Sequence, residues 1–585
     1  MADDGKNIDL GRLHDAVISS NNDLKKFREQ REAFVSEYSG KEYAGNDRRK
    51  ETPVNMMELA IGIYMHKLAA NCPRASVTTA WSRLRPSADL LRLALDYICE
   101  NLQIGKTIRG ALKDAMFGMG VVKIGINETD QRIRGFSVEG GQPFVERVSM
   151  DDFVFDTTAR DWQHCQFVGN RFMVDAEAFD AAAKKGIYKN IMRLSDASTD
   201  YFNGGSRTSD ISTGGNKDLS LYRRRYILWE IWLPFENLIV TLDETLDTIL
   251  KVQEWSGPRT GPYCVLSFND VPDNILPLAP AALWVELHVF INELWRKIFN
   301  QARREKKITT YTGGSEQDAQ RIRDAADGEV IRTDSLKDVQ EVIYGGPDQV
   351  LAGFATTLDP VFSRVAGNLD VAGGLAPMGA TATQDAILNQ NSGTRFESMA
   401  SALNEFAGEV MKKLAWWLWT DPYIDLPLVK RIGKTVELEV SFNQRSRQGE
   451  LFDYAIKIVP YSMSPKTPQE RYQAILQIIQ MVYQPFAELC MAQGVTLNMQ
   501  ELFRIIAKLI DIEDLNSVLS IGDPAQPLES FDSHERGVQK PPTHSVYERV
   551  SRSATNYGNE MHEIGKAFLG ENLQERERNM IGRPR

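Results

Sequence analysis

From residue 277 to residue 307 the chain reads PLAPAALWVELHVFINELWRKIFNQARREKK. Pro277 and Pro280 punctuate its start, and no breaker follows between Ala281 and Lys307. Leu283, Leu287, Ile291, Leu294 and Ile298 recur at steps of 4, 4, 3 and 4, the spacing of one helix face. That spacing predicts a helix over 281–307, whose 27 residues would extend roughly 40 Å. Its last turns set Arg296, Lys297, Arg303, Arg304, Lys306 and Lys307 against a single acid, Glu305.

Downstream, residues 308–346 read as a small α/β insert. It holds a strand-like ITTYT, an acidic helix EQDAQRIRDAAD, and strands around GEVIRT and VQEVIYG. Past Gly345-Gly346-Pro347, a second amphipathic run places Leu351, Phe354, Leu358, Val361, Val365 and Leu369 on one face. Pro360 inside it predicts a kink or a late start. The stretch DVAGGLAPMGAT reads as a glycine-rich loop, followed by a helix of 37 residues from Thr383 to Trp419. Ordinary helices run to about 10–14 residues. Short strands follow Pro422, KTVELEVSF being the clearest, and 467–521 carry a helical-bundle pattern. From Asp523 the chain is polar, with Pro524, Pro527, Pro541 and Pro542, which predicts disorder or folding only on a partner.

Upstream, residues 8–38 read as a charged amphipathic helix with Leu13, Val17, Leu24, Phe27 and Phe34 near one stripe. Helical runs follow over Val54–Asn71 and Ser87–Met116, the second ending at the glycines of FGMGVVKIG. Strands are expected in VVKIG and RIRGFSVEGGQPFVERVS, a helix over 172–186, and a mobile loop from Asn203 to Gly215. The segments YILWEIWLP, ENLIVTL and DTILKVQEW read as strands apolar on both faces, hence a sheet buried on both sides.

The 585 residues predict three to five domains or layers at about 100–200 residues each. No uncharged apolar run is long enough for a membrane-spanning helix, and the acidic start MADDGKNIDLGRLHD predicts no secretory signal. Cys72, Cys99, Cys165, Cys264 and Cys490 are odd in number and scattered, which argues for a reducing compartment without zinc or disulfide framework. With 68 basic against 79 acidic side chains the net charge is −11, unlike a basic nucleic-acid coat. Any nucleic-acid contact must then be local, or must avoid gripping.

Enzymatic signatures are missing from the sequence. Gly105-Lys106-Thr107 and Gly433-Lys434-Thr435 imitate a P-loop, but the required upstream glycine is replaced by Glu100 and Leu428. The glycines of GMGVVKIG precede a strand, the reverse of a dinucleotide fingerprint. The histidines are dispersed, His562-Glu563 has no second histidine of a zinc pair, no GxSxG elbow occurs, and no carboxylate dyad stands out. The expectation is a protein without catalysis, cofactor or metal.

The order long helix, α/β insert, helix, glycine-rich loop and very long helix resembles the core of tailed-bacteriophage portal proteins, the head–tail connectors. The supporting stretches are ALKDAMFGMGVVKIG, YILWEIWLPFENLIVTL and PYCVLSFNDVPDNILPLAPAALWVELHVFINELWRKIFNQARREKK, spread within residues 50–520. The most specific is SRVAGNLDVAGGLAPMGATATQDAILNQNSGTRFESM. The resemblance implies an α+β, mainly helical protomer. Its regions would be a wing (1–276), a first stem helix (277–307), a clip (308–346), a second stem helix (347–370) and a channel loop (371–382). A long kinked helix with wing strands (383–466), a crown bundle (467–522) and a polar tail (523–585) would complete it. It further implies a ring, typically a dodecamer, at one capsid vertex of a virion assembled in the host cytoplasm. Double-stranded DNA passes along the axis, driven by a separate terminase, and a head–tail adaptor or neck protein docks later. Major capsid and scaffolding proteins are further implied partners, and no membrane is.

Several features read two ways. Arg303, Arg304, Lys306 and Lys307 either complement a helix C-terminus or meet DNA phosphate or a neighbouring subunit where stem joins clip. Gly373, Gly374 and Gly379 belong either to a plain connection or to a channel loop with Leu375 and Met378 as its apolar tips. Trp416-Trp417-Leu418-Trp419 fits a buried core better than a base-stacking platform. Acidic subunits with one or two basic rings would repel a duplex broadly and let it slide. The competing reading is a monomeric α/β enzyme or binding protein with a long helical hairpin.

Overall fold

Asp9 accepts a hydrogen bond from the Arg12 amide at 3.2 Å and starts the first helix of the computed structural model, α1 (Leu10–Ser39). The structure describes residues 9–40, 54–69, 71–127, 131–133, 136–138, 141–190, 225–311, 313–326, 332, 339–373, 382–432, 436–459 and 462–463. Two compact units divide the chain, Met1–Pro465 and Lys466–Arg585, and every described residue belongs to the first. The expected loop at 203–215, the strand near GEVIRT save Arg332, the bundle at 467–521 and the tail lie outside the described residues.

Asn55 caps α2 (Met56–Leu68) by accepting from the Glu58 amide at 3.0 Å. Strand β1 (Ala75–Thr79), which the helical periodicity did not announce, leads to α3 (Arg85–Asn101) and α4 (Ile104–Phe117). The continuous helix expected over 87–116 is therefore two. Gln103 adopts the left-handed region at φ 52°, because the step from buried Ile98 to buried Ile104 is out of phase with one helix face. Strands β2 (Gly120–Ile126), β3 (Gln131–Ile133), β4 (Phe136–Val138) and β5 (Pro143–Val148) follow.

The next strands are β6 (Phe153–Phe155) and β7 (Val168–Asp175), then α5 (Ala176–Lys184). Residues 172–175, expected helical, are extended. Pairing along β7, from Val168 opposite Trp232 to Asp175 opposite Arg225, overrides their helix propensity. Strands β8 (Arg225–Leu233), β9 (Leu238–Asp243) and β10 (Ile249–Glu254) complete a five-stranded sheet in the order β10-β9-β8-β7-β6. Leu13 and Val17 of α1 pack with Trp229, Ile231 and Val240 on one face, and Phe179 of α5 packs with Tyr226 and Leu228 on the other. The expectation of two buried faces holds for β8 and β9. At the sheet edge β10 alternates, and its Val252 is exposed. Strand β11 (Tyr263–Leu266) joins a second sheet, β11-β2-β5.

Helix α6 (Ala282–Arg303) has 22 residues, ends earlier than expected, and gives way to strand β12 (Lys306–Tyr311). Helix α7 (Glu316–Asp324) and strand β13 (Val339–Tyr344) complete the insert, so it begins at Lys306 and not at residue 308. Helix α8 (Gln349–Val365) contains Pro360, so the late start is not adopted, and a single turn, α9 (Leu369–Ala372), follows. Val371 and Ala372 are thus helical, which shortens the expected loop at 371–382. Helix α10 (Ala382–Thr420) is one element of 39 residues, close to the 37 expected. Strands β14 (Leu426–Ile432) and β15 (Val436–Phe442) pair with each other, and β16 (Tyr454–Ile458) pairs with β1 across the length of the unit.

The main core gathers α2, α3, α4, α6, α8 and α10 around Trp284, Tyr64, Phe362 and Leu414. His288 of α6 is completely buried there, its Nε2 3.8 Å from Glu37 of α1. Asn292 donates to the His288 carbonyl at 2.9 Å and accepts from the Val54 amide at 3.0 Å. Burial lowers the His288 pKa from 6.5 to about 4, so the folded chain holds the imidazole neutral. Unfolding frees it to bind a proton below pH 6.5. Its contribution is thus complete above that value and is lost as pH falls towards 4, by roughly 3 kcal/mol. Urea titrations from pH 7 to 4 are expected to show this slope, and His288→Gln to flatten it.

Candidate functional site

The insert is rooted where α6 ends and α8 begins. Arg304 caps α6, its amide bonding back to Gln301 at 3.1 Å, and the Glu305 amide reaches Ala302 at 3.1 Å. From there β12 runs antiparallel to β13, from Lys306 opposite Tyr344 to Tyr311 opposite Val339. The return into α8 needs Gly345 at φ 81° and Gly346 at φ 107°, a left-handed pair that side chains disfavour. A Cβ at Gly345 would also stand 3.2 Å from the Arg304 carbonyl. Asp348 closes the junction, its amide bonding to Gln301 at 3.2 Å and its carboxylate capping Val350 at 2.9 Å.

Arg303, Arg304, Lys306 and Lys307 therefore straddle a helix end and a strand start, and do not share the one helix expected. Strand geometry sends Lys306 and Lys307 to opposite faces. All four are exposed, and none has an ion-pair partner among the described residues. Arg303 and Arg304 complement the dipole of α6, which accounts for a fraction of a kcal/mol each. The two lysines, in extended backbone, have no such role.

Beside this root lies an uncovered apolar seam. On α6 Leu283 is 40% and Phe290 45% exposed, and on α8 Val350 is 80%, Phe354 49%, Val361 42% and Val365 40% exposed. Phe290 and Phe354 meet edge to face at 6.4 Å, so the seam follows the junction of the two helices. Four of these residues, Leu283, Phe354, Val361 and Val365, belong to the apolar stripes that periodicity marked on the two helices. The inward faces overlap those stripes only in part: they carry Trp284, His288, Ile291, Asn292, Leu294 and Ile298 on α6, and Ala355, Leu358, Phe362 and Ser363 on α8. Large apolar side chains exposed along two adjoining helices are a feature that association sites share.

Gly373 stands just after α9, at the far end of α8 from the basic cluster, so the two candidate sites are not brought together. Its amide bonds to the Leu369 carbonyl at 2.6 Å, and a Cβ there would approach Ile63 of α2 at 3.2 Å. Gly374, Leu375, Met378 and Gly379 lie outside the described residues. Gly105-Lys106-Thr107 occupies the first turn of α4, with Gly105 against Cys72, and Gly433-Lys434-Thr435 is outside the described residues. Trp417 is buried and Trp416 and Trp419 pack against the main core, in agreement with the core reading.

Sequence reasoning missed Tyr64, whose ring stacks on Phe396 at 4.2 Å and Trp284 at 5.6 Å. Its hydroxyl donates to the Ala366 carbonyl at 2.8 Å and ties α2 to the end of α8, and burial raises its pKa to about 12. No local pattern announces such a stack, since its rings come from three distant segments. Among the described residues no three His, Cys, Asp or Glu side chains gather as a metal site, and no helix is long and apolar enough to cross a membrane.

Replacing Arg303, Arg304, Lys306 and Lys307 together by serine is expected to cost under about 1 kcal/mol in thermal unfolding, since the side chains are exposed and unpaired. The same variant is expected to elute from heparin at lower salt. No protein-family model matches the chain, and no curated protein matches it either.

Proposed function

We propose that the chain is the protomer of a portal ring, the conduit through which double-stranded DNA enters and leaves a viral capsid at one vertex. The observation that carries this reading is the apolar seam of α6 and α8, a surface that one copy of the described unit leaves uncovered. Further support comes from the order of elements around it. An antiparallel helix pair is split by the β12–α7–β13 insert and followed, past a glycine-rich stretch, by a helix of 39 residues. Repetition about an axis would cover the seam with a neighbouring copy and turn four unpaired cations into a belt.

On this reading the belt touches phosphate locally while the rest of the wall, from a chain of net charge −11, repels the duplex. The chain then needs no catalytic machinery of its own. A terminase supplies the motor, and capsid, scaffolding and adaptor proteins are the remaining partners in the virion.

Native mass spectrometry and negative-stain imaging of purified chain test the proposal. A closed ring with a central hole is expected, and a single-chain mass at every concentration overturns it. In a ring structure, the lumen is expected to be acidic or neutral with one basic level at the α6–β12 joint. A uniformly basic lumen would sink the sliding argument. For the glycine-rich stretch, Gly374→Leu is expected to leave the ring intact and impair DNA packaging or retention. Gly373 is unsuited to that test, because a side chain there presses on Leu369 and Ile63.

A further inference from the structure

Phe299, near the end of α6, is 42% exposed. Nine residues separate it from Phe290 of the seam, so the two rings leave the helix about 180° apart. Trp295, one turn earlier, lies beside it with ring centroids 5.7 Å apart. Arg303, one turn later on the same face, is exposed and has no ion-pair partner among the described residues. The helix pair thus presents two apolar surfaces that face opposite ways, the seam and a smaller stripe of Trp295 and Phe299 that ends in an arginine.

The two surfaces share a level. Gln301 accepts the Asp348 amide at 3.2 Å, which sets those two positions side by side. Helices α6 and α8 run antiparallel, so Phe299 and Val350 each lie two residues, about 3 Å, to the same side of that bond. Val350 is 80% exposed, the most exposed residue of the seam. Phe299 and Arg303 are each two residues from Gln301 and project about 160° away from the side that meets Asp348. In their own chain they therefore point away from the seam. Rotation about an axis along the helix pair keeps every residue at its height and would carry the stripe of one copy onto the seam of the next. Such a contact joins unlike surfaces, head to tail, the kind that closes into a ring.

The margins carry groups that suit one another. At the Val350 end of the seam stand the carboxylates of Asp348 and Glu305, both exposed and neither in an ion pair among the described residues. Glu305 lies over Gly346, where a Cβ would stand 3.4 Å from its carboxylate. Arg303 offers the complementary charge from the opposite surface. An aromatic anchor on an apolar patch with charges at the rim is the usual make-up of a protein contact.

We propose that Phe299 of the partner subunit seats on Val350 at the insert end of the seam, with Arg303 of the partner subunit paired to Glu305. The proposal rests on the ring reading above. It adds the side chains by which one copy recognises the next.

Cross-linking tests the packing. Under copper–phenanthroline, F299C/V350C is expected to give a ladder of covalent multimers on a non-reducing gel, and each single variant no more than background dimer. Level but oppositely directed, the two positions cannot be bridged within one chain. A double variant whose products match those of the single ones overturns the contact. Charge exchange tests the pair at two exposed positions. R303E and E305R are each expected to weaken self-association by about tenfold, measured by mass photometry across a dilution series. R303E/E305R is expected to recover most of the loss, and a double variant no better than the worse single one overturns the pair. Wild-type chain that never associates would instead overturn the ring reading itself, so the two failures are distinguishable.

Discussion

Burial of α10 is the constraint on which the rest of the described unit depends. Leu403, Phe406, Ala407, Val410, Met411, Leu414, Ala415 and Leu418 alternate steps of 3 and 1, and all are buried. A helix so apolar along one broad face gains nothing in water until other elements close over it. Here α2, α3, β11, β2 and β16 do so, which is why segments hundreds of residues apart share a single core. Lys413 interrupts the apolar stripe and is itself buried. Its ammonium reaches the carbonyls of Thr260 and Tyr263 and lies 2.9 Å from Glu409. A slip of the helix along its axis would take that charge away from both carbonyls and leave it only Glu409, which rides on the same helix. Burial of the lysine is thus a register pin more than a source of net stability.

The same core explains why the helix pair α6–α8 presents two unlike sides. Inward, Trp284, Ile291, Leu358 and Phe362 join α2 and α10, and the Tyr64 hydroxyl holds the end of α8. Outward, the described unit has no further element to offer, and the seam stays open. The five-stranded sheet cannot serve, because its two faces are already taken by α1 and α5. Helix α1 is tied further by Arg31, buried and 3.1 Å from Asp114, which is also ion-paired with Arg147 at 2.8 Å. Removing Asp114 would leave the buried guanidinium only its longer pair with Asp151, at 3.8 Å.

Long periodic elements were legible in the residues. The two helices that flank the insert, the helix of 39 residues and the strands β8 to β10 all lie where their patterns placed them, within a few residues. What stayed hidden was set by distant partners. The residues RREKK favour a helix and complement its dipole, yet α6 stops at Arg303 because β12 pairs with β13 and the left-handed glycines return the chain. Pairing of β1 with β16 has no local sign at all. Of the candidate site, the cations were visible in composition alone. The seam stayed unassigned, since an amphipathic stripe states that a face is apolar and not which neighbour covers it.

Placement of the cations bears on how a ring of such chains would treat DNA. Were all four on one helix face, each copy would offer a continuous basic strip, and every phosphate neutralised would add to a salt-dependent grip. The observed geometry divides them. Arg303 and Arg304 project about 100° apart around the helix, and Lys306 and Lys307 point to opposite faces of a strand. A duplex on one side of the joint therefore meets only part of the cluster from each copy. The remainder is turned towards whatever stands beside it, a neighbouring insert included. On the proposed ring reading, a belt divided in this way would guide a polyanion past one level without binding it along the channel, the behaviour a conduit requires.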